Sequence, residues 1–459
     1  MYRNFLWKLL EEFVAEVKEE GTYATEEELK TVVSKMADLI CNNPDGTPED
    51  FIEKIIEDNV RQLEGIRKQY PIPGYTVGVN VGKIDVKMYG GDIDALGHSM
   101  PDNALFDIAS MTKFYTQVIA YNLINEKVFS FNDKIKDLDD RFKNVSNLTV
   151  GDVLRFNAEF RTKGRLSEKS TIEEALDTLY SMEVVSTEKY NYNDMGMMLM
   201  KELMEKVTGE KFEELVDKYI INKYGLNDTH LYVPTEKFSR LTGSANISVG
   251  KVNDPSALSV GGFSGHAGIF ASSDDLIMLG KSVYNGLLPK NMVSDAYTPG
   301  IKENRGRMGN TYTSHIKGID MSYVDRLAPI EEFAIQGSTR VQTNIGKNSV
   351  STILLNPASM SIDQAREEEQ KVNYARELRG QIPLSLVKHF IFDRGGKAVE
   401  YDLVDARLMA PSGKTVEPIT TSNAELALQL RYLNKVIEAM DPNYYDNMDL
   451  KVKVDTKVR

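Results

Sequence analysis

Ser110 and Lys113 stand three residues apart in Phe106-Asp107-Ile108-Ala109-Ser110-Met111-Thr112-Lys113. On a helix this spacing puts the two side chains on one face, so a hydroxyl and an ammonium come within hydrogen-bonding reach of each other. A serine so paired can act as a nucleophile without any histidine. Ser-x-x-Lys recurs at Ser186/Lys189, Ser248/Lys251, Ser314/Lys317 and Ser385/Lys388, so the spacing alone does not choose among them. The surroundings do: apolar residues lead into Ser110, and Phe114, Val118, Tyr121, Leu123 and Ile124 follow it. That pattern predicts a buried helix with Ser110 at its N-terminal end, where free backbone N–H groups and the positive end of the dipole favour a developing oxyanion.

Other stretches must supply the walls around such a serine. Tyr190-Asn191-Tyr192-Asn193-Asp194 reads as a polar loop leading into a helix over Met197–Thr208, stopped by Gly209. Gly261-Gly-Phe-Ser-Gly265-His266-Ala-Gly268 is a glycine-rich loop ahead of a helix that starts at Ser272/Ser273. It lacks the Gly-x-x-x-x-Gly-Lys spacing of a phosphate cradle and reads instead as a place where backbone approaches closely. His266 is a candidate pocket residue, with Gly265 beside it. Met195, Met197, Met198 and Met200 read as core filling.

The frame around these stretches divides in three. Residues 1–70 read as helices over Phe5–Glu20, Glu26–Asn42 and Pro48–Arg67, the last capped by Thr47. Pro71-Ile-Pro-Gly74 marks a boundary. Hairpin strands follow over Tyr75–Asn80 and Ile84–Tyr89, with two further alternating strands over Glu332–Asn344 and Asn348–Asn356. Residues 71–378 make up the main domain, closing with a helix over Ser361–Arg379. Residues 379–459 form an extension with a hairpin around Asp393-Arg-Gly-Gly396 and a helix over Asn423–Met440.

Composition limits the function classes. A chain of 459 residues with 41% hydrophobic content can bury one large core or two domains. A net charge of −13 argues against nucleic acid and anionic membrane surfaces as partners. No run approaches the roughly 20 apolar residues of a membrane span. The N-terminus is amphipathic rather than signal-like, and a cytoplasmic location is expected. The single cysteine, Cys41, excludes an intramolecular disulfide and is expected in a helix core.

In order along the chain, Phe106…Ser110-Met-Thr-Lys113, Tyr192-Asn193-Asp194, Gly265-His266-Ala-Gly268 before a helix, and a Gly337-containing strand paired with Ser349–Asn356 resemble the serine β-lactamase and penicillin-binding-protein superfamily. The class C and esterase-like branch is the nearest in pattern. The resemblance implies an α+β fold, a mainly antiparallel sheet flanked by helices with a helical cluster that holds Ser110 and Tyr192 at the seam. It implies Ser110 as the acylated nucleophile, Lys113 as its activating partner and Tyr192 as proton shuttle. The backbone N–H groups of Ser110 and Ser338 would form the oxyanion hole, beside Gln336 and Gly337.

Two positions depart from the family's pattern. Asp194 stands where Tyr-x-Asn is common, and a carboxylate there should hold Lys113 protonated. The strand that usually reads Lys-Thr-Gly or His-Thr-Gly reads Ile335-Gln336-Gly337, so an isoleucine replaces the cation or imidazole that faces a substrate carboxylate. Gly413-Lys414-Thr415 lies too far downstream to replace it.

The expected reaction is acyl transfer through a Ser110 ester to water, on a small ester or amide, with β-lactams among the candidates and with no metal or cofactor. The competing reading is a binding or scaffold module that has lost turnover, favoured by Ile335 and opposed by Ser110, Lys113 and Tyr192. Transfer of the acyl group to an alcohol or amine is a third possibility. Substrate identity and oligomeric state are not legible in the sequence.

Overall fold

The computed structural model describes residues 1–20, 26–69, 72–94, 98–145, 147–187, 191–242, 252–292, 332–337, 341–346, 348–355, 370, 374, 377–378, 387–390, 401–404, 416–445 and 455–458. Its centre is a six-stranded sheet. The strands are β1 (Gly74–Val81), β2 (Ile84–Gly91), β3 (Glu332–Gly337), β4 (Val341–Gly346), β5 (Ser349–Leu355) and β6 (Asp455–Val458). Across the sheet the order is β6-β2-β1-β5-β4-β3, antiparallel except where β6 joins β2.

Every residue of β1 and of β5 is buried, which requires cover on both faces of the sheet. Helices provide it. On one face lie α1 (Tyr2–Glu20), α2 (Glu26–Asn42), α3 (Pro48–Gln69) and α7 (Val416–Met440), sharing an apolar core with Val77, Val79, Val81, Ile353 and Leu355. The opposite face, represented by Val350 and Leu354, meets a larger core. That core includes α4 (Thr112–Asn125), α5 (Met195–Thr208) and α6 (Ser273–Tyr284). Alternation along β5 thus sends successive side chains into two cores, the period-two geometry of a strand. The result is an α+β fold of helix, sheet and helix layers. Helices from both ends of the chain meet in one cluster on the first face.

Two readings of the sequence change, and a third falls largely outside the described residues. The stretch Glu332–Asn344 is not one strand: β3 and β4 pair antiparallel with Gly337 opposite Val341, so the chain reverses between them. The alternating pattern looks the same for one long strand and for two that fold back. Cys41 is exposed rather than in a helix core, and Arg3 donates a 3.2 Å hydrogen bond to its sulfur. Leu29, Val32, Met36 and Ile40 form the buried stripe of α2, and one residue past Ile40 the helix has turned away from it. The helix expected over Ser361–Arg379 lies almost entirely outside the described residues, with helical geometry recorded at 370, 374 and 377. Among the described residues, no helix is long and apolar enough to cross a membrane.

Candidate active site

The Ser110 turn is held at both ends. Leu105–Asp107 pairs with Phe270–Ser272, and the Ile108 N–H donates to the Ile269 carbonyl at 3.0 Å. One Asp107 carboxylate oxygen accepts from the Ala109 N–H at 2.8 Å and the other from the Asn253 N–H at 2.7 Å. Ala109 then adopts φ +47°, a left-handed conformation that costs a residue with a Cβ about 1 kcal/mol or more. A single 3₁₀ turn, Ala109–Met111, carries the chain into α4. Ten successive residues of α4, Thr112–Tyr121, are buried, so this is a central helix whose burial fixes its first turn.

Lys113 is wholly buried on that first turn. Its ammonium has three protons to donate, and three acceptors surround it: Ser110 Oγ at 2.8 Å, Asp194 Oδ1 at 2.8 Å and the His266 carbonyl at 3.3 Å. The Tyr192 ring covers it, with Nζ 4.8 Å from the ring centroid. Burial by itself pushes the lysine pKa down; the Asp194 charge and Tyr192 outweigh it, so the ammonium is held above the ordinary lysine range. For Asp194, burial raises the pKa, but Lys113 and then His266 prevail and hold the carboxylate below its usual range. Lys113 is thus favoured as a cation that donates to Ser110 Oγ.

Tyr192 stands beside this cation. Its Oη is buried with no hydrogen-bond partner among the described residues. The ring stacks on Phe156 at 5.5 Å. The loop around it is tied down by Asn193, whose Nδ2 donates to the Ala158 and Asn191 carbonyls at 2.9 Å and whose Oδ1 accepts from the Gly196 N–H at 2.8 Å. Asp194 then opens α5. Met197, Met198 and Met200 on that helix fill the core.

The glycine-rich loop closes the site from below. A Cβ on Gly265 would overlap the Met197 carbonyl, so only glycine lets the loop lie on α5. Its carbonyl accepts from Thr116 Oγ1 at 2.6 Å, which fastens it to α4. His266 is buried, and its ring faces Asp254, with Nε2 2.8 Å from Oδ1, while its backbone carbonyl faces Lys113. Asp254 was not picked out from the sequence. Asp254-Pro255 does signal a helix start, and its Oδ1 caps the Ala257 N–H at 2.8 Å, but no sequence rule links it to a histidine twelve residues on.

Strand β3 forms the remaining side. A Cβ on Gly337 would overlap the Ile108 carbonyl, so the glycine permits the strand to lie against the Ser110 turn. Ile335 is fully buried in the same core as Ile108 and Met111. Gln336 pairs with Gln342 across the ladder. Ser338 lies outside the described residues.

Asp194, Asp254 and His266 bring one potential ligand atom each to within 4.8 Å of one another. Within this cluster Asp194 pairs with the Lys113 ammonium and Asp254 with the His266 ring, each at 2.8 Å.

The Beta-lactamase family profile matches residues 55–321, more than half of the chain and all the groups just described except β3. The protein belongs to the Beta-lactamase family. It is similar to a putative D-alanyl-D-alanine carboxypeptidase of Escherichia coli K12, with 26% identity over 225 residues, 40% of this chain and 51% of that protein. A counterpart from Salmonella typhimurium is 27% identical over 226 residues, 40% of this chain and 52% of that one. The chain thus spans about half the length of these relatives. A solved class C beta-lactamase superposes with a TM-score of 0.52 and 16% identity, covering 70% of this chain and 96% of its own. The octameric penicillin-binding protein homologue of Pyrococcus abyssi gives a TM-score of 0.51 and 15% identity, covering 72% and 78%. At these identities the structures bear on the fold alone, and they agree with the α+β arrangement expected from the sequence.

Proposed function

We propose that this Beta-lactamase family member is a serine hydrolase that cleaves a small ester or amide through an acyl-enzyme on Ser110. The observation that carries the reading is the 2.8 Å contact between Lys113 Nζ and Ser110 Oγ, with Asp194 fixing the charge of the lysine. In the first step Ser110 Oγ attacks the substrate carbonyl carbon while its proton passes to Tyr192 Oη, the general base on this reading, which lies beside the Lys113 ammonium. Negative charge develops on the carbonyl oxygen, where the Ser110 N–H and, on our reading, the Ser338 N–H donate. Collapse breaks the bond to the leaving group, which takes the proton from Tyr192 as it departs as alcohol or amine. Water then gives a proton to Tyr192 and attacks the ester; collapse breaks the bond to Ser110 Oγ, Tyr192 returns the proton to that oxygen, and the carboxylic acid leaves. Lys113 keeps its proton throughout and holds its place beside Ser110 Oγ and Tyr192.

The carboxypeptidase relatives make a peptide ending in D-alanyl-D-alanine the amide to test, and the solved beta-lactamases make a penicillin the second. The absence of a cation at Ile335 favours substrates with no carboxylate to be recognised there, hence a simple ester. Intact-mass spectrometry after exposure to a fluorophosphonate, and separately to a penicillin, tests the reading. We expect a covalent adduct that disappears in Ser110→Ala; no adduct with either reagent would favour the scaffold reading, for which the buried Ile335 is the supporting observation. Label from the fluorophosphonate alone places the chemistry on the esterase side. Product analysis with an added alcohol separates hydrolysis from acyl transfer.

A further inference from the structure

We infer that Asp254 and His266 are a positioning pair for the site, acting on Ser110 through Lys113. The inference rests on the serine-hydrolase reading and adds two residues to it.

A fully buried imidazole needs a polar partner, and His266 Nε2 has one in Asp254 Oδ1 at 2.8 Å. Asp254 is itself immobilised, because the same oxygen accepts from the Ala257 N–H at the start of the short helix Pro255–Ser259. The chain of contacts runs onward through the backbone. With its ring held by Asp254, His266 presents its carbonyl to Lys113 Nζ at 3.3 Å. The neighbouring Gly265 is wedged between α4 and α5, the helix that bears Lys113 and the helix that Asp194 opens.

A charge argument runs alongside the geometric one. Asp254 and His266 lie within 4.8 Å of Asp194, measured between their polar atoms, so one ammonium sits among two carboxylates and an imidazole. Asp194 therefore answers to three groups: Lys113 and His266 favour its charge and Asp254 opposes it. Removing Asp254 or the His266 ring leaves the Ser110–Lys113 spacing in the sequence unchanged. What it removes is the anchor for one of the three acceptors that aim the ammonium. A displacement of about 1 Å in a catalytic group can cost about 100-fold in rate.

The test is the second-order rate of Ser110 labelling by a fluorophosphonate, followed by intact mass on the full-length chain. We expect Asp254→Asn and His266→Ala each to slow labelling by about 10- to 100-fold. His266→Gln, which keeps an N–H donor directed at Asp254, should return to within about threefold of the wild-type rate. A merely structural role would act alike in any background. A role exercised through the Lys113–Asp194 pair would not: on an Asp194→Asn background, Asp254→Asn should slow labelling by less than about threefold.

Labelling of Asp254→Asn and His266→Ala within twofold of wild type would overturn the inference. So would an Asp254→Asn effect undiminished by Asp194→Asn, or a His266→Gln variant as slow as His266→Ala. Should Asp254→Asn fail to fold, Asp254→Glu serves in its place, keeping the charge but lengthening the arm, with an expected loss of about 3- to 10-fold. A wild-type protein that takes no label overturns the serine-hydrolase reading and this inference with it; a labelled wild type with indifferent variants overturns this inference alone.

Discussion

On the helical side of the candidate site, a buried lysine is surrounded by Ser110, Asp194 and the His266 carbonyl, and each of its three protons faces an acceptor. On the sheet side, Ile335 lies fully buried in the apolar core and Gly337 contributes only its lack of a side chain. One side is organised by charge and the other by fit. An isolated buried ammonium would be expelled or neutralised, so the helical side must be satisfied as a set. The sheet side has only to be close. We therefore expect the largest rate losses from mutations on the helical side, and mutations on the sheet side to act mainly through stability.

The largest expected effect is Lys113→Met, which keeps most of the volume and removes the charge. Fluorophosphonate labelling of Ser110 should fall by about 1,000-fold, measured by timed intact mass. A fall below tenfold would break the comparison, because the ammonium would then not be what activates the serine. Tyr192→Phe comes next, with a rate loss of about 100-fold. Since Oη has no hydrogen-bond partner among the described residues and the Phe156 stack survives, thermal unfolding should leave the melting temperature of this variant unchanged or raised.

The sheet side gives the converse. Gly337→Ala forces a Cβ onto the Ile108 carbonyl, so either β3 or the Ser110 turn has to move. Urea unfolding should show a loss of about 2 kcal/mol, with a rate loss of about tenfold that follows from the shifted turn. Ile335→Val should cost about 1 kcal/mol and leave labelling within twofold. A large rate loss there with intact stability would mean that residue 335 contacts substrate.

The pH dependence of stability reports on the charged side alone. Burial would raise the Asp254 pKa, but the His266 hydrogen bond and charge overcome it and hold the carboxyl at about 2. An unfolded aspartate titrates near 4, so the contribution is present above that pH and is lost as pH falls through about 4 towards about 2. The size is about 2 kcal/mol, and the Asp194 shift has the same sign. Lys113, held above its unfolded value, contributes with the opposite sense: its share is full below the ordinary lysine pKa and is lost as pH rises through the folded value. Acid titrations of wild type and Asp254→Asn by circular dichroism should differ in the acid window and coincide near neutrality in slope.

Much of this arrangement was legible beforehand, and the reasons differ by residue. The Ser110–Lys113 contact follows from helical spacing, which is local. Thr47 capping its helix and the hairpin of β1 and β2 are local too, since the partners lie within a few residues. The other four Ser-x-x-Lys copies each have a member outside the described residues, so the apolar setting of Ser110 remains the discriminating signal. The reversal between β3 and β4 was missed because alternation carries no mark of direction. Cys41 was misplaced because one position along a helix separates a buried stripe from solvent.

The amino-acid sequence by itself determined which side chains can do chemistry here and which of them share a helical turn, because both are properties of residue type and short spacing. Only the tertiary structure decided that Tyr192, Asp194 and a loop carbonyl more than 150 residues from Lys113 would converge on that lysine. It also decided that Asp254 would hold the loop in place. The physical reason is that burying a charge demands partners without specifying where along the chain they come from.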